Sequence, residues 1–187
     1  LRRHFTEKEL EIRVTYGPIF GSTLNDIKPD IVGLSSVSQN YHIAQRYAKL
    51  CKEKNIPVII GGVHISTLPH TATHDMDVGV INEGEEAAVE LVRIFKDEGR
   101  FPKDKLSGVK GIVFNDGEKL VNTPLRERIE NLDTLPSPAR ELYYHPRRGI
   151  FTSRGCPYDC TFCFSKPFWG AKARFFSPEY VVKEMAG

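Results

Sequence analysis

Cys156, Cys160 and Cys163 are the residues of this chain best equipped for chemistry. They share one short loop, Gly155-Cys156-Pro157-Tyr158-Asp159-Cys160-Thr161-Phe162-Cys163, with three residues between the first pair and two between the second. A loop that short can wrap one small metal site. Two thiolates alone would suit a redox pair, and four would suit zinc or a fully ligated cluster. Three, with no fourth cysteine nearby, suit a cubane iron–sulfur cluster whose last iron stays open to another ligand. Structural zinc is the rival, with His145 the nearest further ligand. Zinc sites normally pair their ligands across two knuckles, however, and this loop lacks the second. An electron-carrying cluster is a further rival, but such carriers usually ligate all four irons. The remaining cysteine, Cys51, lies far upstream on the apolar stripe of a helical pattern and reads as a buried small apolar residue.

A second group of candidates follows from the elements upstream. Residues 31–35, 57–62 and 77–81 are compact apolar runs of the kind that strands buried on both faces require. Between the first two, residues 39–55 carry Ile43, Tyr47 and Leu50 beside Ala44, Ala48 and Cys51, one face of an amphipathic helix. After the third, Ala88, Leu91, Val92 and Phe95 share a helix face, and Gly99 supplies the stop. Apolar strands alternating with helices through short loops predict an α/β domain with a parallel sheet. Ligands of such sheets bind beyond the carboxyl ends of the strands. Ser35 and Ser36, then Gly61, Gly62, Val63 and His64, then Glu83, Gly84 and Glu85 fall at those ends. Together they would floor a large, flat ligand. Each also has a plainer reading. His64 would touch the ligand or merely end a strand, the two acids suit any helix N-terminus, and paired glycines let backbones pass closely.

The flanking stretches read less regularly. Residues 1–10 resemble the tail of a helix, residues 11–16 a strand, and residues 24–28 a short helix. Residues 111–115 and 118–121 flank Asp116-Gly117, a dipeptide that type I′ hairpin turns favour. A proline-punctuated stretch with Leu135-Pro136-Ser137-Pro138 then reads as a connector. Residues 149–154 form the strand that delivers the cysteine loop, and Ser177-Pro178-Glu179 starts a final helix. Three regions result: an α/β domain over 1–108, a hairpin and connector over 109–148, and the cysteine-loop region over 149–187. The 187 residues carry a net charge of +2, too small to argue for nucleic acid. No apolar run approaches the roughly 20 residues that span a bilayer, so no membrane partner is expected. Clustered cysteines point to a reducing cytoplasm rather than a secreted disulfide framework. A start at Leu1 and a finish inside a helical pattern suggest part of a longer protein.

The string Thr152-Ser153-Arg154 followed by the cysteine loop resembles the cluster loop of radical S-adenosylmethionine enzymes, which place an aromatic residue, here Phe162, just before the third cysteine. Upstream, Pro29-Asp30-Ile31-Val32-Gly33-Leu34-Ser35, Gly61-Gly62-Val63-His64 and Glu83-Gly84-Glu85-Glu86 resemble strand-end motifs of the cobalamin-binding domain fused to one branch of that family. The connector, residues 129–140, is similar to that branch's linker. The resemblance implies a Rossmann-like, flavodoxin-like parallel sheet lacking its first strand, then the start of a partial TIM barrel. It implies a [4Fe–4S] cluster on Cys156, Cys160 and Cys163. The open iron would chelate S-adenosylmethionine, with Phe162 lining the adenine side, and reductive cleavage would start radical chemistry. It also implies cobalamin over the strand-end residues, a small-molecule substrate, and an electron donor such as flavodoxin or ferredoxin. No Asp-x-His-x-x-Gly motif, the source of a cobalamin-ligating histidine in related folds, occurs in the chain. No catalytic side chain is assignable, and a non-catalytic corrinoid-binding module is the alternative from another class.

Overall fold

The computed structural model describes residues 1–15, 20–142 and 149–186. Its chain divides into two compact units, Pro18–Glu127 and Leu1–Gly17 with Arg128–Gly187. In the first, the three apolar runs form parallel strands β1 (Val32–Ser35), β2 (Val58–Gly61) and β3 (Val78–Val80). The hairpin follows as β4 (Ile112–Asn115) and β5 (Leu120–Asn122). Because β4 pairs antiparallel with β3, the sheet runs β1-β2-β3-β4-β5 and is mixed rather than wholly parallel. The hairpin therefore completes this sheet instead of belonging with the connector. Its chemistry explains why: Ile112, Val113 and Phe114 are all buried, and three such residues in succession need cover on both faces.

Helices supply that cover. On one face, Phe20 and Leu24 of α1 (Phe20–Ile27) and Tyr41, Ala44, Ala48 and Cys51 of α2 (Tyr41–Glu53) pack with Val32, Val58 and Ile60. A short helix, α3 (Val63–Thr67), adds Ile65 to the same cluster. On the other face, Ala87 and Leu91 of α4 (Glu85–Glu98) and Leu106 of α5 (Lys103–Leu106) pack with Val78, Val80, Ile112 and Phe114. Ile59 joins this second cluster while its neighbours Val58 and Ile60 join the first, the alternation a strand imposes. Full burial of a side chain such as Ile60 or Leu91 contributes about 1.5–3 kcal/mol.

Three sequence expectations change here. Residues 1–10 form turns, not a helix: the Thr6 hydroxyl and amide both donate to the Glu9 carboxylate, and no apolar stripe continues the turn. Residues 11–15 form no strand, and Tyr16, the last residue of that expected strand, lies outside the described residues. Among those residues β1 is the sheet edge. The hairpin turn is a four-residue loop in which only Gly117 has positive φ, whereas type I′ needs two such residues. Here the Asp116 carboxylate accepts the amides of Glu118 and Lys119, both at 2.9 Å, and these bonds hold its pKa below the usual carboxylate range.

The second unit holds the cysteine loop between β6 (Ser153–Arg154) and α6 (Ser165–Trp169). β6 pairs antiparallel with β7 (Arg174–Phe175), so the strand expected over 149–154 shrinks to two residues. Phe151, two residues before it, is exposed, and the Thr152 carbonyl accepts the Phe176 amide at 3.0 Å. Residues 131–134 of the connector are held by specific contacts: Leu132 is fully buried, the Asn131 side chain accepts the Asp133 amide, and Arg3 donates to the Thr134 carbonyl. A final helix, α7 (Pro178–Ala186), starts as expected, with the Ser177 hydroxyl accepting the Tyr180 amide at 3.1 Å. His145, the proposed zinc partner, lies outside the described residues. Among the described residues, no helix is long and apolar enough to cross a membrane.

Candidate functional site

The strand-end residues come together as the sequence predicts, and they are tied to one another by backbone. The Ser36 amide donates to the Gly61 carbonyl at 3.2 Å, and the His64 amide donates to the Ser36 carbonyl at 3.3 Å. Gly62 makes this crossing possible. Its φ is +95°, and a Cβ there would stand 2.6 Å from the Ser36 carbonyl oxygen and 2.9 Å from the Ser35 hydroxyl. Ser66 extends the tie: its hydroxyl donates to the Gly62 carbonyl and accepts the Asn82 amide at 2.8 Å, next to Glu83 and Gly84. All three loops thus share one bonded layer. Ser35 is exposed on it, Val63 and Gly84 are half-buried, Glu83 is buried and Glu85 opens α4. Ser36 is only 4% exposed, and its hydroxyl has no protein partner. A buried orphan hydroxyl beside a glycine-lined strand end suits a polar ligand group.

His64 is built into the domain rather than offered from it. Its ring is buried, stacks on Tyr41 with centroids 3.7 Å apart, and bonds through both nitrogens, Nδ1 to the Ser38 hydroxyl and Nε2 to the Thr71 hydroxyl, each at 3.0 Å. Burial, and secondarily the nearby His70, lower its pKa. The sequence names His64 but not Ser38, Thr71 or Ser66, whose roles depend on which loops meet.

The cysteine loop is positioned by its backbone. Gly155 has φ +96°, and a Cβ would fall 2.1 Å from the Lys172 carbonyl oxygen, so only glycine admits this approach. The Cys156 amide donates to Gly170 O at 3.0 Å, and the Cys163 amide to Cys160 O at 3.0 Å. Behind the loop, Arg128 and Arg174 pin α6. Arg128 donates to the Pro167 and Phe168 carbonyls, and the buried Arg174 to those of Trp169 and Ile129. The Arg154 guanidinium lies over the Trp169 ring, 4.8 Å from its centroid. Periodicity gives no sign of these arginines. Their signal is the carbonyls and ring they meet, which only the fold reveals.

The side chains of the loop face outward. Cys160 and Cys163 are exposed, Cys156 is half-buried, and all three are free thiols. Phe162 is 91% exposed. The Ser165 amide donates to Cys163 Sγ at 3.4 Å, and Lys166 pairs with Asp159 at 3.0 Å. Among the described residues no three Cys, His, Asp or Glu side chains are gathered as a closed ligand set. Cys51 is different: it is fully buried in the α/β core, where desolvation and then Asp77 push its thiol up to about 11. Three free thiols on one loop fit the donor set of a cluster, and Cys51 takes no part in it.

Comparison with known proteins agrees with this division. Residues 18–92 match the B12 binding domain family. An uncharacterized methyltransferase of Pyrococcus horikoshii is 31% identical over 96% of this chain, and the chain spans 42% of that protein's length. The cobalamin-dependent radical SAM methyltransferase TokK of Streptomyces tokunonensis is 29% identical over 73% of this chain and 22% of its own. The chain therefore contains a B12-binding domain and, over most of its length, is similar to methyltransferases that include a cobalamin-dependent radical SAM enzyme. A solved radical S-adenosylmethionine methyltransferase, TsrM of Kitasatospora setae with cobalamin and a [4Fe–4S] cluster bound, shares its fold. The TM-score is 0.64 at 20% identity, over 89% of this chain and 37% of that one. The α/β unit is therefore a flavodoxin-like B12-binding domain, with a mixed, largely parallel sheet.

Proposed function

We propose that this chain is the cobalamin- and cluster-bearing part of a radical S-adenosylmethionine enzyme that acts on a small molecule. The observation that carries the reading is the loop of three free thiols, fixed at Gly155 and Gly170, in a chain that also contains a B12-binding domain. Cys156, Cys160 and Cys163 would hold a [4Fe–4S] cluster, and a cluster with an open iron supplies reductive cleavage of bound S-adenosylmethionine. The exposed Phe162 is available to line the adenine. The Ser165 amide donates to Cys163 Sγ and would orient that ligand.

In the α/β unit, Ser35, Ser36, Gly61, Gly62 and Val63 would form the cobalamin floor, closed by Glu83, Gly84 and Glu85. The orphan Ser36 hydroxyl would take a polar group of the corrinoid. The reaction is methyl transfer, ring closure or another radical rearrangement, fed by flavodoxin or ferredoxin in a reducing cytoplasm. Neither nucleic acid nor membrane has a part in it.

Anaerobic reconstitution with iron and sulfide tests the cluster. A broad absorbance in the visible and a cubane paramagnetic signal on reduction are expected. Stoichiometric zinc with no cluster would refute it. Hydroxocobalamin titration tests the other half. Tight binding, together with full activity of the whole enzyme after cysteine-to-alanine changes, would instead favour a carrier module.

A further inference from the structure

We infer that His64 is the positioning residue of the strand-end floor: as a neutral imidazole protonated at Nε2, it fixes the loop after β1 to the turn that contains Thr71. The inference rests on the proposed cobalamin reading for its purpose, but not for its geometry. The tautomer follows from the hydroxyls. Thr71 Oγ1 donates its proton to the Leu68 carbonyl at 2.7 Å, so towards His64 Nε2 it can only accept, and Nε2 carries the hydrogen. Nδ1 is then the acceptor, and the Ser38 hydroxyl donates to it. The His64 amide meanwhile holds the Ser36 carbonyl. One residue thus grips the β1 loop on either side of Val37, from its backbone and from its ring.

Tyr41 completes the arrangement. Its ring stacks on the imidazole while its hydroxyl donates to the Thr71 carbonyl at 2.7 Å. Tyr41 beneath the ring and His70 nearby are the titratable groups identified around it, and neither supplies a negative charge at neutral pH. A proton added at Nδ1 would remove the acceptor that Ser38 uses and place a charge in a buried site. The loop that would loosen is the one that carries the unpartnered Ser36 hydroxyl. Because both ring nitrogens are bonded to hydroxyls, His64 would support a bound ligand through the loop it holds rather than ligate it.

The test uses the whole chain. Nitrogen-15 spectra of the wild-type histidines at pH 8 should show one ring protonated only at Nε2, assigned to His64 by its loss in His64→Gln. On acidification that ring should stay neutral after exposed histidines have titrated. Hydrogen exchange over residues 36–40 and 69–72 should quicken at least tenfold in His64→Ala and less in His64→Gln, whose amide can both donate and accept. Hydroxocobalamin affinity should fall about tenfold in His64→Ala, the scale of one lost hydrogen bond. In wild type it should weaken with acid, and in His64→Gln it should be flatter with pH. An Nδ1-protonated ring, an unshifted titration, or unchanged exchange in His64→Ala would overturn the inference. If wild type shows the expected tautomer and exchange but does not bind hydroxocobalamin, the loop-fixing role stands and the cobalamin reading falls.

Discussion

The two candidate sites are built in opposite ways. At the strand ends, backbone and side chains are committed together. Gly62 threads past Ser36, Ser66 ties two loops, and His64 spends both ring nitrogens on hydroxyls. In the cysteine loop only the backbone is committed. Gly155 and the Cys156 amide fix the path, while two of three thiols and Phe162 stand in solvent. The first arrangement suits a surface that receives a large preformed ligand. The second suits a loop whose side chains are completed by what they bind, since metal binding organises thiolates that the free loop leaves apart.

The sharpest separation should come from the thiols. Cys160→Ala should reduce reconstituted iron to background while leaving the far-ultraviolet dichroism of the α/β unit unchanged. If iron loading survives, the loop is not the cluster site and the contrast between the sites collapses. A matched pair of glycine changes is the next largest. Gly62→Ala should destabilise the α/β unit by about 3 kcal/mol, since a positive φ and a 2.6 Å clash act together. Gly155→Ala meets an even closer carbonyl, at 2.1 Å, but should spare that unit. It should instead impair iron loading and shift the emission of Trp169, the chain's sole tryptophan. Urea unfolding read by dichroism and by Trp169 fluorescence would distinguish the two. Equal responses in both probes would show that the regions are not separately held.

Much of this was legible in the sequence, for physical reasons that also mark where it stopped. The runs at 31–35, 57–62 and 77–81 announce strands because a parallel strand covered on both faces must be apolar throughout. Which strand a hairpin will pair with leaves no such trace, so β4 and β5, legible as a hairpin, were grouped with the connector rather than beside β3. The cysteine spacing and the glycine pairs identify the loops, since metal wrapping and close backbone passage each demand a residue type. Nothing at His64 itself says whether a ring after a strand faces ligand or core. That depends on Ser38 and Thr71, residues of ordinary type whose partner is fixed by tertiary folding. Arg128 and Arg174 were equally silent, because an arginine that binds backbone carbonyls is written with the same letter as one left in solvent.

Cys51 offers a smaller test of the same contrast. At pH 8 the three loop thiols should react rapidly with a disulfide reagent. Cys51 should wait for unfolding, since its thiol is fully buried and pushed up to about 11. Cys51→Ser should cost about 1–3 kcal/mol by placing a hydroxyl in an apolar cluster, with cluster loading unaffected. Four equally reactive thiols in the native chain would erase the distinction between core and loop cysteine.

The smallest expected effect is a pH dependence confined to the α/β unit. The folded-state pKa of His64 lies below its unfolded value of about 6.5, chiefly through burial. Above the unfolded value the ring is neutral in both states and its contribution is complete. As pH falls below about 6.5 the unfolded chain takes up the proton first, so stability declines until pH has passed through the folded pKa. The urea midpoint followed by dichroism should therefore drop slightly between neutral and mildly acid pH, and His64→Gln should flatten that part of the curve. Trp169 emission should not follow this titration, because the ring belongs to the other unit. If the His64→Gln curve keeps the wild-type slope, another group carries the acid sensitivity, and the strand-end floor owes nothing to the ring's protonation state.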